Sequence, residues 1–382
     1  MYDIVIIGGG ACGMTAAIAA KAGAPEKGVL VLEKMDRPLR KLKATGNGRC
    51  NMTNLACKNK ESVLGFFGEL GVITRADSEG RIYPVTEDAG DVVNAILDRA
   101  EHLGIQILCG AEVLRLEREQ GVFRVVYREG KTEKALCAEQ VMLAAGGKAA
   151  PKFGTTGDGA ILAGRLGHTV SRLAPALTGV VTTEDIAEFS GIRARGEVSL
   201  CFRGEVIFRE QGEIQFTDYG LSGICVFNMS RYITIPEGCT LKDGFREYEI
   251  HIDFLPEIGD LGSILWERTG KPGFQGAKLM RSMVRRPVAE KIWSMAGASV
   301  ERCGSLLKAF PLHVKSLRGW QYAQVTRGGV CYDEIEPETM ASRLVPGLYF
   351  GGEVLDFDGQ CGGFNLQHAF ETGIRAGKGM SR

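Results

Sequence analysis

Apolar and small residues at the start of the chain follow the pattern of a strand, a helix and a second strand. Residues 4–7 are a continuous β-branched run, which is typical of a strand buried on both faces of a parallel sheet. The alanine-rich residues 14–22 predict a helix, and the apolar residues 29–32 predict the next strand. This order predicts a βαβ unit and hence an α/β fold.

Glycines fill the turn between the first strand and the helix. Residues 8–13 match the spacing G-x-G-x-x-G, in which Gly8 permits the tight turn and Gly10 permits close approach of a pyrophosphate. Gly13 allows the helix to pack closely on the strand, and the helix N-terminus attracts phosphate. Glu33, after the second strand, can accept hydrogen bonds from ribose hydroxyls. Together these residues predict a dinucleotide site without distinguishing FAD from NAD.

The pattern of the following residues predicts one polar loop and five further strands around this site. Residues 41–54 are rich in glycine, asparagine and lysine, so we expect a loop that approaches a polar ligand. An antiparallel meander follows and leads to a separate apolar strand ending in Ala-Gly-Gly, where backbone can approach a flat cofactor. A short strand near the C-terminus returns to this domain. The five predicted strands are residues 112–116, 123–127, 131–136, 141–145 and 348–350.

The middle of the chain changes to short alternating strands and then to a helical pattern. Strands are predicted at residues 197–202, 205–209 and 247–252, and helices at residues 277–284 and 288–295. We therefore predict a Rossmann-like nucleotide-binding domain with an inserted β-rich domain and a small helical insertion. The nucleotide-binding domain comprises residues 1–174 and 326–382, the β domain residues 175–255 and 308–325, and the helical domain residues 256–307.

Charge and composition narrow the expected partners. The 382 residues contain 46 Lys and Arg and 46 Asp and Glu, so the overall charge predicts neither a nucleic-acid partner nor an acidic membrane surface. Apolar runs are much shorter than the roughly 20 residues that cross a bilayer, and no signal peptide precedes the first strand, so we expect a cytoplasmic protein. The basic residues of the helical insertion could form a patch for an anionic partner, but solvated charge on a small helical domain is the preferred interpretation. They are Lys278, Arg281, Arg285, Arg286 and Lys291.

Cysteine usage argues against two further kinds of site. The 11 cysteines are scattered without short paired spacing, which predicts neither a disulfide framework nor a metal site. We expect most of them to be small buried residues.

Three later segments carry a resemblance to a known family. Residues 46–54, 216–223 and 351–367 resemble the bacterial flavoprotein family called YhiN-like, BaiN-like or aminoacetone-oxidase-like, and the match runs in order over nearly the whole chain. Residues 144–147 followed by 156–159 are similar, more distantly, to the fumarate-reductase group of flavoproteins. The resemblance implies a Rossmann-like domain that binds FAD non-covalently.

The resemblance also implies which residues bind FAD. They are Gly8, Gly10, Gly13, Glu33, Lys34, Lys41, Arg49, Cys50, Asn51, Val113, Gly146, Gly352, Glu353, Gly363, Phe364, Asn365 and Leu366. Three positions depart from the family pattern: Asp218 stands where His is common, Phe364 where Tyr is common, and His368 where Trp is frequent.

The predicted activity is FAD-dependent transfer of hydride between the flavin and a small organic molecule. The BaiN-like resemblance implies a steroid-like enone or ketone related to bile acids, and the aminoacetone-oxidase-like resemblance implies an amine oxidised with release of hydrogen peroxide. A flavin-binding module that acts with an RNA or protein partner is a third interpretation. No second glycine turn with its own βαβ unit is present, so NAD(P)H as a reductant would reach the flavin directly or act through another protein.

Candidates for the catalytic proton transfer are few, and each of them also fits a structural role. They are Tyr83, Tyr219, Cys361 and His368. The sequence predicts no particular oligomeric state.

Overall fold

The computed structural model describes residues 1–235 and 240–382, which form two compact units. The first unit consists of Met1–Ala174 and Val325–Arg382, and the second consists of Pro175–Gln324. The predicted β-rich and helical insertions both lie within the second unit, and their separation into two domains stays a prediction. Residues 236–239 of the predicted β-rich insertion lie outside the described residues.

The strands are numbered in chain order. They are β1 (Tyr2–Ile7), β2 (Val29–Glu33), β3 (Thr53–Asn54), β4 (Thr74–Ala76), β5 (Arg81–Pro84), β6 (Gln106–Cys109), β7 (Ala111–Glu119), β8 (Val122–Glu129), β9 (Thr132–Leu143), β10 (Ala174–Ala176), β11 (Val180–Thr182), β12 (Arg193–Phe202), β13 (Glu205–Thr217), β14 (Gly220–Ser222), β15 (Tyr248–Asp253), β16 (Phe310–Leu317), β17 (Val325–Arg327) and β18 (Leu348–Phe350).

The α-helices are numbered in the same way. They are α1 (Ala11–Gly23), α2 (Arg40–Ala44), α3 (Lys60–Glu69), α4 (Ala89–His102), α5 (Asp158–Arg165), α6 (Ile224–Ser230), α7 (Leu241–Arg246), α8 (Leu261–Thr269), α9 (Arg286–Met295), α10 (Val300–Lys308) and α11 (Phe364–Met380). In the described part of the chain, no helix combines the length and apolar character that a membrane span requires.

A mainly parallel sheet organises the first unit around β1. Its strand order is β6-β2-β1-β9-β8-β7, and β18 also pairs with β9. Val5 pairs in parallel with Leu30 on one side and with Val141 on the other. The β-branched residues of β1 are fully buried, as expected for a parallel sheet that is covered on both faces.

Strand β9 joins the antiparallel meander to the parallel sheet. The sequence predicts separate strands at residues 131–136 and 141–145, whereas β9 is one strand. Its first part pairs antiparallel with β8, and its last part pairs in parallel with β1 and β18. Residues 137–140, which separate the two predicted strands, belong to β9, because Ala138 pairs with both Phe123 and Tyr2.

Two other predicted segments differ from the structure. Residues 41–44 lie in α2, because the run Arg-Lys-Leu-Lys-Ala consists of good helix formers, and the irregular backbone begins at Thr45–Gly48. The predicted helix at residues 277–284 is only a short 3₁₀ helix, Gly276–Met280. Ser282 has a φ of +63°, a left-handed conformation that no helix continues through.

Helices α1 and α11 cross closely because α11 carries glycines at the contact. A Cβ at Gly373 would overlap the carbonyl oxygen of Cys12, and a Cβ at Gly377 would overlap that of Ala16. The two helix backbones therefore touch. This contact fixes the C-terminal helix against the helix that follows the glycine turn.

The second unit is built around a closed β-barrel with helices packed against its core. The strands close in the order β11-β14-β13-β12-β15-β16, with β16 returning to β11. Closure leaves no unpaired sheet edge in the barrel. An aromatic cluster of Phe189, Phe216, Phe254 and Phe310 fills this core, which also includes apolar residues of α8, α9 and α10.

Candidate cofactor site

The glycine turn after β1 leaves open space at the start of α1. Gly8 has a φ of +112°, and a Cβ there would overlap the carbonyl oxygen of Ala144. A Cβ at Gly13 would overlap the carbonyl oxygen of Gly8, whereas a Cβ at Gly10 would meet no atom of the described chain within 4 Å. Among the described residues, no side chain caps the first turn of α1 and no acidic residue lies in it, so its N–H groups can receive a phosphate.

Glu33, at the end of β2, is bound to the same turn. Its Oε2 accepts a hydrogen bond from the N–H of Gly9 at 2.8 Å, and its Oε1 accepts one from Met35 at 2.7 Å. Burial raises the pKa of Glu33, although these two N–H groups and the cations Arg40 and Lys34 oppose the shift. Each oxygen keeps acceptor capacity for a ribose hydroxyl.

Lys34 connects the end of β2 with β7 and with the start of α5. Its Nζ lies 3.0 Å from Glu112 Oε1, 2.9 Å from Asp158 Oδ2 and 3.0 Å from Thr156 Oγ1. Burial by itself would lower the pKa of Lys34, but the two carboxylates outweigh burial and raise it. The predicted cofactor residue Val113 follows Glu112 directly, so this network also positions its backbone.

Lys41 and Glu353 hold together segments that are far apart in the sequence. Lys41 Nζ lies 2.7 Å from Glu353 Oε2, and Glu353 Oε1 accepts a hydrogen bond from the N–H of Thr326 at 2.7 Å. The hydroxyl of Thr326 in turn accepts hydrogen bonds from the N–H groups of Lys148 and Ala149, at 2.7 and 2.9 Å. The backbone that follows β9 is thereby fixed beside α2 and β17.

Two further predicted glycines mark close packing in this region. A Cβ at Gly352 would lie 2.9 Å from the Cβ of Cys12, in the first turn of α1. Gly146 has a φ of +74°, and a Cβ there would lie 3.0 Å from Thr155. The Gly-Glu segment near the C-terminus therefore contacts the helix that begins at the glycine turn.

Asn51 joins the loop after α2 to the start of α11. When its side-chain amide is oriented to satisfy both neighbours, the nitrogen donates to the carbonyl oxygen of Thr53 and the oxygen accepts from the N–H of Gly363, both at 3.0 Å. Gly363 has a φ of +104°, and a Cβ there would overlap the carbonyl oxygen of Thr53. Two segments about 300 residues apart, both implied to bind FAD, are thus in direct contact.

The N-terminus of α11 offers a second set of backbone donors. The N–H groups of Phe364, Asn365 and Leu366 belong to the first turn, which has no acceptor within the helix. The Asn365 side chain accepts from the N–H of Gly359 at 2.8 Å and donates to the carbonyl oxygen of Gly359 at 2.9 Å. These bonds hold the preceding loop in place and leave the first-turn donors available to an electron-rich ligand edge.

Arg49, Cys50 and Tyr83 form the packed side of the glycine-rich loop. The Arg49 guanidinium lies 4.9 Å from the centre of the Tyr83 ring and pairs with Glu87 at 3.5 Å. Cys50 is fully buried with a φ of +58°, and burial raises the pKa of its thiol to about 12. Cys50 therefore carries no reactive thiolate at neutral pH, and any contribution to cofactor binding comes from its backbone.

His368 lies one turn into α11, paired with a tyrosine. Its Nε2 is hydrogen-bonded to the hydroxyl of Tyr332, and its ring stacks on Phe357 with centroids 4.1 Å apart. Burial lowers the pKa of His368 to about 3 and raises the pKa of Tyr332. At neutral pH the imidazole is uncharged, so Tyr332 is the member of the pair that holds a transferable proton at the shared bond.

The other two candidates for proton transfer lie in different surroundings. Tyr219 belongs to the second unit, where the Arg318 guanidinium lies 4.1 Å from its ring centre. Cys361 is half-buried in the first unit, next to Gly362, whose carbonyl oxygen accepts a hydrogen bond from Asn54 at 2.9 Å. The ten cysteines that the structure describes form no disulfide.

Sequence reasoning missed three residues that organise the site. Thr326 ties Glu353 to the backbone after β9, Thr372 accepts the N–H of Gly352 at 2.9 Å, and Tyr332 is the partner of His368. Each is an isolated polar residue outside any glycine-rich motif. Only the fold brings them to the site.

The first unit fits a bound FAD. An open space lies above Gly10 beside free helix donors, a carboxylate with spare acceptor capacity ends β2, and a second helix N-terminus is fixed by Asn51. These groups match the pyrophosphate, the ribose and an electron-rich ring edge of a dinucleotide.

Comparison with known proteins agrees with this geometry. The family model described as HI0933-like protein Rossmann domain matches residues 2–65 and 55–379. The 3-dehydro-bile acid delta(4,6)-reductase of Clostridium scindens is 33% identical, over 99% of this chain and 98% of that protein. The ribosomal RNA dihydrouridine synthase of Escherichia coli is 26% identical, over 97% of this chain and 96% of that protein.

A solved structure supports the fold independently of close sequence similarity. The open conformation of a flavocytochrome c3 fumarate reductase matches 100% of this chain and 78% of that chain, with a TM-score of 0.51 and 13% identity. At this identity the likeness concerns the fold. The family match and the full-length relatives show more: the chain belongs to the HI0933-like Rossmann-domain family and is an FAD-dependent oxidoreductase.

Proposed function

We propose that this enzyme reduces a carbon–carbon double bond conjugated to a carbonyl group, in a steroid-like substrate related to bile acids. The observation that carries the proposal is the 33% identity, over nearly the full length of both chains, to a 3-dehydro-bile acid delta(4,6)-reductase. Double bonds at these ring positions are conjugated to the 3-carbonyl of a 3-dehydro steroid. When bound, FAD supplies the hydride that such a reduction needs.

The residues that hold FAD are assigned as part of this proposal. The pyrophosphate would lie at Gly10 and the first turn of α1, and Glu33 would accept hydrogen bonds from a ribose. The backbone donors at the start of α11 would bind the pyrimidine edge of the flavin, where negative charge collects on reduction. Lys34, Lys41 and Asn51 position these segments through the contacts described above.

Conjugate reduction also requires a proton for the carbon next to the carbonyl. Among the candidates in the first unit, the Tyr332–His368 pair places a protonated hydroxyl against a neutral imidazole. The hydroxyl of Tyr332 would give its proton to that carbon, and the phenolate left behind would be reprotonated by water, while the neutral imidazole orients the hydroxyl. We therefore propose Tyr332 as the proton donor and His368 as its positioning residue.

A second substrate has its own supporting observation. The Escherichia coli relative is a ribosomal RNA dihydrouridine synthase and aligns with 97% of this chain. The C5–C6 double bond of uracil is conjugated to the C4 carbonyl, so its reduction belongs to the same reaction class. The identity is lower than for the bile-acid relative, and uridine in RNA is therefore the second candidate.

Anaerobic stopped-flow mixing of photoreduced enzyme with possible substrates tests the proposal. A 3-oxo-4,6-diene steroid should reoxidise the flavin much faster than buffer, with a product two hydrogens heavier. An RNA fragment containing uridine is the second arm, and NADH and NADPH are mixed with oxidised enzyme to identify the reductant. If only O₂ reoxidises the flavin and amines reduce it, the enzyme is an amine oxidase and the proposal is wrong.

A further inference from the structure

In the second unit, the Arg318 side chain packs against two tyrosine rings. Strand β11 pairs with both β14 and β16, so Tyr219, just before β14, and Arg318, just after β16, lie beside the same strand. The Cζ atom of the Arg318 guanidinium lies 4.1 Å from the centre of the Tyr219 ring and 3.5 Å from the centre of the Tyr322 ring. The barrel therefore brings one cation and two aromatic rings into direct contact.

The two residues that precede β11 fix this arrangement. The N–H of Arg318 donates to the carbonyl oxygen of Gly179 at 2.9 Å, and the hydroxyl of Thr178 donates to the carbonyl oxygen of Arg318 at 3.0 Å. A Cβ at Gly179 would lie 2.8 Å from the hydroxyl oxygen of Tyr219, so glycine leaves the room that this ring occupies. The same short segment thus positions the backbone of Arg318 and the ring of Tyr219.

The guanidinium keeps its N–H donors despite these contacts. At 3.5 Å from the Tyr322 ring centre, its plane must lie roughly parallel to the ring, because an N–H pointing at the ring would bring its nitrogen too close. The donors therefore point sideways. Among the residues that the structure describes, the Arg318 side chain forms no hydrogen bond and no ion pair, and Asp218, next to Tyr219, forms no ion pair either.

This group is accessible from solvent. Arg318 and Tyr219 are half-buried, and Tyr322 is 53% exposed. A small molecule can therefore reach the free edge of the guanidinium while the rings cover its face.

We infer that Arg318, Tyr219 and Tyr322 form a binding site for the carboxylate group of a small organic acid. A guanidinium presents parallel N–H donors that match the two oxygens of a carboxylate. The rings restrict the arginine before a ligand arrives, which lowers the entropy lost on binding. One cation balances the single charge of a carboxylate, whereas a phosphate group carries up to about two charges. All three residues belong to the second unit and none is assigned to FAD, so the inference goes beyond the proposed function.

Fluorine NMR titration of the holoenzyme with para-fluorobenzoate and with trifluorobutyrate, one aromatic and one aliphatic carboxylate, tests the inference. Both probes should bind to the wild type. Arg318→Lys keeps the charge but loses the fork of donors, so it should bind them at least about tenfold more weakly. Tyr322→Leu should weaken binding about threefold, and Tyr322→Phe, which keeps the ring, should leave it unchanged.

Arg195→Lys is the matched control. Arg195 is an exposed arginine of β12 that forms no ion pair and no ring contact within the described part of the second unit. Its replacement should leave the affinity for both probes unchanged, and uncharged para-fluorobenzamide should not bind. Flavin absorbance and circular dichroism of each variant check that it is folded.

Three results would overturn the inference. The first is absence of binding of both carboxylates to the wild type, and the second is wild-type affinity in Arg318→Lys or an equal loss in Arg195→Lys. The third is tighter binding of para-fluorophenyl phosphate than of para-fluorobenzoate, which would indicate a phosphate site.

Discussion

Three glycines of the first turn have different surroundings in the folded chain. Gly8 and Gly13 are packed against backbone carbonyl groups, so a side chain at either position would disturb the protein itself. Gly10 opens onto space at the start of α1. The same residue type thus supports folding at two positions and leaves room for a ligand at the third.

This difference predicts that two alanine substitutions affect different properties, one the stability of the protein and the other its affinity for FAD. Gly13→Ala should lower the free energy of unfolding by about 1–3 kcal/mol, because its Cβ overlaps the Gly8 carbonyl. Gly10→Ala should leave the stability of the apoprotein nearly unchanged and weaken FAD binding at least about tenfold, through contact with the pyrophosphate. Urea denaturation of the apoproteins and FAD titration measure the two effects. Wild-type FAD affinity in Gly10→Ala would contradict the placement of the pyrophosphate.

His368 predicts a dependence of stability on pH. Its folded pKa, about 3, lies below the value near 6.5 of an unfolded histidine, so the unfolded chain binds the proton more readily. This contribution to stability is complete above pH 6.5 and is lost as the pH falls toward 3. His368→Gln, which can still accept from Tyr332, should show a smaller loss of stability between about pH 7 and about pH 5.

Urea denaturation at several pH values measures this difference. His102→Gln is the control, because His102 is exposed at the end of α4. His102→Gln should show the same loss of stability between about pH 7 and about pH 5 as the wild type. A parallel pH dependence in wild type and His368→Gln would show that His368 is not the titrating group.

At the scale of elements, the crossing of α1 and α11 positions both helix N-termini. Cys12, in the first turn of α1, contacts Gly352 through its side chain and Gly373 of α11 through its carbonyl oxygen. Any shift between these helices also moves the donors that we assign to FAD. The sequence prediction of α1 is confirmed, but its contact with α11 depends on glycines that no local pattern singles out.

Gly377→Ala should therefore affect both stability and the cofactor. Its Cβ would overlap the carbonyl oxygen of Ala16, and we expect a loss of about 1–3 kcal/mol in the free energy of unfolding and weaker FAD retention. Gly68→Ala in α3 is the matched control, because its Cβ meets no described atom within 4 Å. There the better helix propensity of alanine should raise stability by up to about 1 kcal/mol. Equal effects of the two substitutions would contradict the close crossing.

At the scale of the whole molecule, the residues assigned to FAD all belong to the first unit, although they come from both ends of the chain. The second unit has its own core and its own barrel. Hydrogen exchange should therefore show that added FAD protects α1, the loop after α2 and the start of α11. Protection concentrated in β11–β16 would contradict the assignment.

Sequence alone determined the βαβ start, the glycine turn and Glu33, because these residues follow one another within a short stretch and their spacing reflects local backbone geometry. Motif resemblance extended this to the FAD segments, and the family match confirms the family. The tertiary structure decided three further features. It makes β9 one continuous strand, ends the short helix before Ser282, and gives Thr326, Thr372 and Tyr332 their positioning roles. Each of these features depends on a partner distant in sequence or on the backbone conformation of one residue. The order of side chains along the chain indicates neither the distant partner nor that conformation.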